Sequence, residues 1–146
     1  LASLLGAPHR RHGEDLPVAP GWNRILRDSR LTLRQKHPVR VYGPAIQHVL
    51  DLGVEELCPH SGAIEGEIRY AARNEQVRTL ADLMMRRSGI SWASCRGLCC
   101  DETVAEIAGK ELGWKAADRR REIKAFREEL DFHLPTVDRV GMDGTE

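Results

Sequence analysis

Four cysteines and six histidines are the side chains best suited to chemistry in this chain. Cys95, Cys99 and Cys100, taken with Cys58, His60 and His48, supply the thiolate and imidazole donors that zinc prefers. The spacing argues against the familiar small zinc modules, because no C-x-x-C pair is present and Cys95 and Cys99 stand only one helical turn or a loop apart. Buried free thiols are the plainer reading, and no metal ligand is expected. Geometry also disfavours a disulfide between the adjacent Cys99 and Cys100.

Other chemistries leave less trace. The chain has no G-x-G-x-x-G, no phosphate-binding loop and no strand-helix alternation that would build a dinucleotide fold. No Ser-His-Asp or Cys-His arrangement stands in a motif context, so catalytic residues are expected to be absent. His9 and His12 flank Arg10 and Arg11 in a stretch that reads as a solvated linker. Arg119, Arg120 and Arg121 are followed by Glu122, Glu128 and Glu129, the pattern of a solvated helix face with weak ion pairs. Lys plus Arg and Asp plus Glu both number 22, and this balance argues against a dedicated nucleic-acid binder. No run of 18 apolar residues exists to span a bilayer.

The elements that must position these groups are helices. Aromatic residues make up only 5% of the chain and β-branched runs are scarce, so a sheet has little to build on. The organising stretch runs from Ile64 to Ile90. Ile64, Ile68, Ala71, Ala72, Leu80, Leu83 and Met84 recur at helical steps, with Glu65, Glu67, Arg69, Arg73, Glu75 and Arg78 between them. Thr79 and Asp82 resemble a capping box that restarts a helix after a break near Gln76 to Arg78, and Gly89 suits its left-handed end. Before this stretch, Pro44 fits a first helical turn and Ala45, Ile46, Val49, Leu50 and Leu52 lead to a stop at Gly53. Asp51 to Ser61 reads as a loop, and Ser91 to Cys100 as irregular. Thr103 and Glu106 suggest a second capping box for a helix carrying Val104, Ile107, Ala108 and Leu112 and closing at Gly113. Trp114 then plugs a corner before a last helix with Arg119, Ile123, Phe126 and Leu130 on one face. The expected fold is all-α, an irregular bundle of five or six short helices.

The segment EIRYAARNEQVRTLADLMMRRSGI, residues 67–90, resembles the C-terminal helical cap domain of FAD-dependent glycerol-3-phosphate dehydrogenases and the related alpha-glycerophosphate oxidases. Glu67, Tyr70, Ala71, Arg73, Glu75, Thr79, Leu80, Asp82, Arg86 and Arg87 carry the resemblance. A Tyr42-Gly43 pair before it, and Leu112-Gly113-Trp114 with Glu122-Ile123 after it, agree. Val77, Ala81, Met85 and Ser88 depart from the family pattern. The resemblance covers roughly residues 40–134 and implies a structural motif made of Glu67, Tyr70, Arg73, Glu75, Thr79, Asp82, Arg86 and Arg87. Arg86 and Arg87 are expected in an ion-pair network between helices, with Glu67 or Glu75 as their natural partners.

The resemblance further implies that flavin, substrate and catalytic groups belong to an N-terminal FAD-binding domain that is the cap's own partner. It leaves a second subunit open as another. This chain is expected to hold no cofactor, FAD belonging to the whole enzyme, which would be cytoplasmic and peripheral to the membrane. The expected organisation is a connector with one short helix, around Trp22 to Ser29, over residues 1–38. A helical cap domain follows over 39–134, and a polar tail over 135–146. A start at Leu1, with LASLLGA too short for a signal peptide, fits an excerpt of a longer protein. A free-standing helical interaction module is the alternative, and a small metal-dependent or thiol enzyme built on Cys95 to Cys100 ranks last.

Overall fold

The first turn of every helix carries backbone N–H groups with no partner inside the helix, and where those donors go decides where helices start. In the computed structural model, which describes residues 41–133, loop carbonyls and carboxylates take up several of them, most completely at the second helix. The connector, short helix and polar tail expected from the sequence fall outside the described residues.

A 3-10 turn at Gly43–Ala45, with Pro44 in its first positions, leads into α1, Ile46–Leu52. This helix includes Asp51, so the loop begins at Gly53 rather than Asp51. The second helix, α2, is Glu65–Asn74. Its entry is fully accounted for: Glu65 N–H donates to Glu55 O (2.8 Å), Gly66 N–H to Gly53 O (3.0 Å), and Ile64 N–H to Glu67 Oε2 (2.9 Å). The single antiparallel bridge among the described residues, Glu56 to Ile64, closes the same loop. Gly66 makes this closeness possible. A Cβ there would stand 2.0 Å from Val49 O and 2.6 Å from Gly53 O, so α1 and α2 meet backbone to backbone where no side chain fits.

After α2 the chain turns at Gln76, which takes a left-handed φ of 54°. The capping box then forms as expected, with Thr79 N–H donating to Asp82 Oδ2 (3.0 Å) and Asp82 N–H to Thr79 Oγ1 (3.1 Å). It opens α3, Asp82–Arg87, which is wound as a π-helix rather than the α-helix that the periodicity predicts. At its end Ser88 N–H and Ser88 Oγ both donate to Leu83 O, at 2.9 and 2.7 Å. Gly89 is left-handed (φ 66°), and a 3-10 turn follows at Ile90–Trp92.

The fourth helix, α4, is Asp101–Leu112 and begins two residues before the expected Thr103. The Thr103–Glu106 box does not form: Thr103 is inside the helix, and Glu106 pairs instead with Lys110 at 2.9 Å. Asp101 supplies the acidic first turn that the helix dipole favours. Gly113, left-handed at φ 73°, ends α4, and Trp114 N–H returns to Gly109 O. The last helix, α5, is Ala116–His133, with Asp118 accepting from Lys115 N–H (3.0 Å) ahead of it.

Five helices are therefore described, without a strand among them, and the chain is all-α. Helix α2 packs against both α1 and α4, and α4 against α5. The main core joins Ile68 and Ala71 of α2, Leu83 and Met84 of α3, Val104 and Ala108 of α4, and Phe126 and Leu130 of α5. A smaller cluster of Ile46, Val49 and Ile64 seals α1 to the start of α2. Trp114 and Ile123 pack partly buried on the main core, as the sequence suggests.

Candidate functional site

Two groups of side chains stand out, the motif residues around α2 and α3 and the sulfur cluster between two loops. Glu67 is 3% exposed, and its carboxylate caps the Ile64 N–H. Burial pushes its pKa up, the Ile64 hydrogen bond pulls it down and Glu75 raises it again, leaving Glu67 at about 7. Tyr70 meets Tyr42 edge to face with ring centroids 5.4 Å apart. Burial, with Glu67, Glu75 and Tyr70 nearby, pushes the Tyr42 hydroxyl well above the usual phenol range, Arg87 opposing. Thr79 and Asp82 form the cap of α3. The hydrogen bonds from Arg78 N–H, Thr79 N–H and the Thr79 side chain, with Arg86 beside it, outweigh burial and hold the Asp82 carboxyl below its ordinary value.

The arginines of the motif reach across elements. Arg73 makes a two-pronged pair with Glu111 of α4, at 2.7 and 2.9 Å, and Arg69 joins Glu111 (2.6 Å) to Glu65. Arg86 binds Glu129 of α5 (2.5 Å) and Asp82 (3.4 Å). Arg87 lies 3.8 Å from Glu75 at the end of α2. Glu67 is not a partner of either arginine, since it is already committed to the Ile64 N–H. Arg86 and Arg87 are about half exposed, so these pairs lie at the surface and are individually weak. Sequence reasoning missed the capping role of Glu122, whose carboxylate accepts from Leu80 N–H (3.2 Å) and so ties α5 to the start of α3. Of the three arginines at 119–121, Arg121 pairs with Asp118 (3.0 Å) and lies near Glu122 (3.9 Å).

The sulfur cluster unites residues distant in the chain. Cys58 and His60 lie on the turn before α2, and Cys95 and Cys99 on the run of turns before α4. Cys58 Sγ is 3.5 Å from Cys95 Sγ and 3.6 Å from Cys99 Sγ, the Cys95 and Cys99 sulfurs are 3.3 Å apart, and Cys99 Sγ is 3.8 Å from His60 Nδ1. All four donor atoms lie within 4.8 Å of one another. Cys58 is buried, Cys95 half-buried, and Cys99 and His60 reach solvent. His48 and Cys100, weighed from sequence as companions, are not in this group. His48 is exposed on α1, and the buried Cys100 thiol donates to Gly97 O (3.4 Å).

The thiols are electrostatically unequal. Burial would push Cys58 up, but hydrogen bonds from the Ser61 side chain, the His60 and Ser61 backbone and Cys95 outweigh it and hold Cys58 at about 6. Burial, hydrogen bonding with Cys95 and Cys58, and their charge push Cys99 up to about 12. Burial first, then the charge of Cys58 and Cys99, pushes Cys100 up as well. One thiolate is thus easily formed, and a second beside it meets repulsion that a cation would cancel.

A helical bundle whose motif residues cap its helices and pair them with one another defines an all-α domain organised around its own architecture. Residues 22–119 match the family model of the C-terminal domain of alpha-glycerophosphate oxidase, and the chain belongs to that family. It is 33% identical over 112 residues to a glycerol-3-phosphate dehydrogenase of Mycobacterium leprae, covering 68% of this chain and 19% of that protein. It is 36% identical over 107 residues to glycerol-3-phosphate dehydrogenase 2 of Mycobacterium tuberculosis and to that of Mycobacterium bovis, covering 64% of this chain and 18% of each. The chain therefore spans about a fifth of the length of these relatives. No solved structure matches it significantly.

Proposed function

We propose that this chain is the helical cap of a FAD-dependent glycerol-3-phosphate dehydrogenase. The whole enzyme would move a hydride from C2 of glycerol 3-phosphate to flavin, giving dihydroxyacetone phosphate, and pass the electrons on to quinone. The observation that carries this reading is the family match over residues 22–119, which runs through the motif on α2 and α3. The family match also weighs against a free-standing interaction module.

The described residues do not fit a flavin. They contain no glycine-rich dinucleotide turn. The groove of about 400 Å³ along α4 and α5 is lined by Glu102, Arg120, Ile123, Lys124, Arg127, Glu128 and Asp131, so its one apolar side chain stands among six charged ones, a poor slot for a flavin ring. By the family resemblance, flavin and substrate belong to an N-terminal FAD-binding domain, which is the cap's partner. Residues 39–134 form the cap, 1–38 lead to it from that domain, and 135–146 form a polar tail. The packed core sets the angles between helices, and Arg73, Arg86 and Arg87 with their carboxylate partners add surface links across them, so that the cap keeps one shape against the flavin domain. No described helix is long and apolar enough to cross a membrane. By the family resemblance, the whole enzyme is proposed to be cytoplasmic and peripheral to the membrane.

Reconstitution tests this. The chain is mixed with a mycobacterial relative shortened by its own C-terminal domain, and co-elution and glycerol-3-phosphate-dependent dye reduction are followed. Co-elution with recovered dye reduction is expected, from a chain that is colourless and inactive alone. Flavin bound stoichiometrically to the isolated chain would contradict the assignment.

A further inference from the structure

We propose that Cys58, His60, Cys95 and Cys99 form a structural zinc site that clips the loop before α2 to the turns before α4. Zinc bound tetrahedrally by thiolates at about 2.3 Å and imidazole at about 2.0 to 2.1 Å requires sulfur-sulfur edges of about 3.8 Å and sulfur-nitrogen edges of about 3.6 Å. The sulfur-sulfur separations here are 3.3, 3.5 and 3.6 Å, and Cys99 Sγ stands 3.8 Å from His60 Nδ1. Small movements of the side chains would bring the donors onto one ion. Three sulfurs and one imidazole in this arrangement favour zinc over the hard, oxygen-seeking cations.

The backbone around the sulfurs also suits thiolates. Gly97 N–H donates to Cys95 Sγ at 3.4 Å, an outer contact of the kind that orients and stabilises a metal-bound sulfur. Gly97 itself is left-handed (φ 80°), and a Cβ there would stand 2.6 Å from Met84 Cε, so the turn carrying Cys95 and Cys99 is pressed onto the core. Exposure of His60 and Cys99 leaves a route for the ion to enter. Four protein donors fill a tetrahedron and leave no position for substrate or water, which makes the site structural rather than catalytic. The site is independent of the assignment of the domain as a cap.

The test is metal analysis of the untagged full chain produced with zinc in the medium, paired with cobalt substitution. About one zinc per chain is expected, and the cobalt form should show the intense sulfur-to-metal charge-transfer absorption of thiolate ligation. Cys99→Ser should lose most of the zinc, whereas Cys100→Ala, which changes a buried thiol outside the group, should keep it. Should Cys99→Ser fail to fold, chelation of the wild-type chain takes its place: the unfolding temperature should fall and return when zinc is restored. Four free thiols and no metal, a Cys58–Cys95 or Cys95–Cys99 disulfide, or iron in place of zinc would overturn the proposal.

Discussion

Glu67 is asked to do two things that oppose each other. It caps the Ile64 N–H at the start of α2, and it does so from a position 3% exposed. Burial raises its pKa from 4.5 to about 7, so folding favours the protonated acid. The stabilisation that a raised pKa brings is fully present below the unfolded value near 4.5 and is lost as pH rises through about 7. Glu67→Gln keeps an oxygen for the Ile64 N–H without the charge. At about pH 8 the variant should be more stable than the parent by up to about 3 kcal/mol, and at about pH 4 the two should unfold alike. Thermal unfolding across that range measures the difference, and equal stability at about pH 8 would show Glu67 to be well solvated. The family resemblance placed Glu67 in a motif, but spacing did not place it in the interior, because its neighbours Glu65 and Arg69 are charged and the alternation reads as a polar face. Gly66 gave still less warning, since nothing in a sequence distinguishes a glycine that weakens a helix from one that admits a second backbone.

Helix ends were legible where the capping chemistry is local and illegible where it comes from afar. Thr79 and Asp82 stand three apart and form their box as read. Thr103 and Glu106 have a similar pattern, yet α4 starts at Asp101, which is 2% exposed and held by Arg127 of α5 at 2.7 and 3.2 Å. A partner 26 residues away outweighs the local signal. Glu122, which caps Leu80 N–H from 42 residues away, could not be read for the same reason. Arg127→Ala leaves the Asp101 carboxylate buried without its fork and should cost about 1 to 3 kcal/mol, read by urea unfolding. Arg127→Lys keeps the charge but not the two-pronged geometry and should fall between the two. Loss of less than a few tenths of a kcal/mol for Arg127→Ala would mean that water replaces the pair.

Across the whole molecule, the all-α architecture and most core positions followed from periodicity, because Ile68, Leu83, Val104, Phe126 and Leu130 recur at steps that only helices bury together. The sulfur cluster did not follow. Its halves, Cys58 with His60 and Cys95 with Cys99, are brought together across 37 residues by the packing of α2 on α4, and spacing rules read only donors within one segment. If the ion fastens these two loops, its removal should raise amide hydrogen exchange over residues 53–64 and 93–100 while the centres of α2 and α5 stay protected. Exchange that rises evenly through all five helices would show instead that the metal holds up the entire bundle.

The π winding of α3 has a further consequence. A π-helix takes one residue more per turn than its neighbours, and each residue of an α-helix advances about 100° around the axis. Residues beyond the widened turn are therefore displaced from the register that ordinary winding would give, and from there Arg86 reaches Glu129 of α5 while Arg87 lies near Glu75 at the end of α2. In this displaced register one short segment meets α5 on one side and the end of α2 on the other.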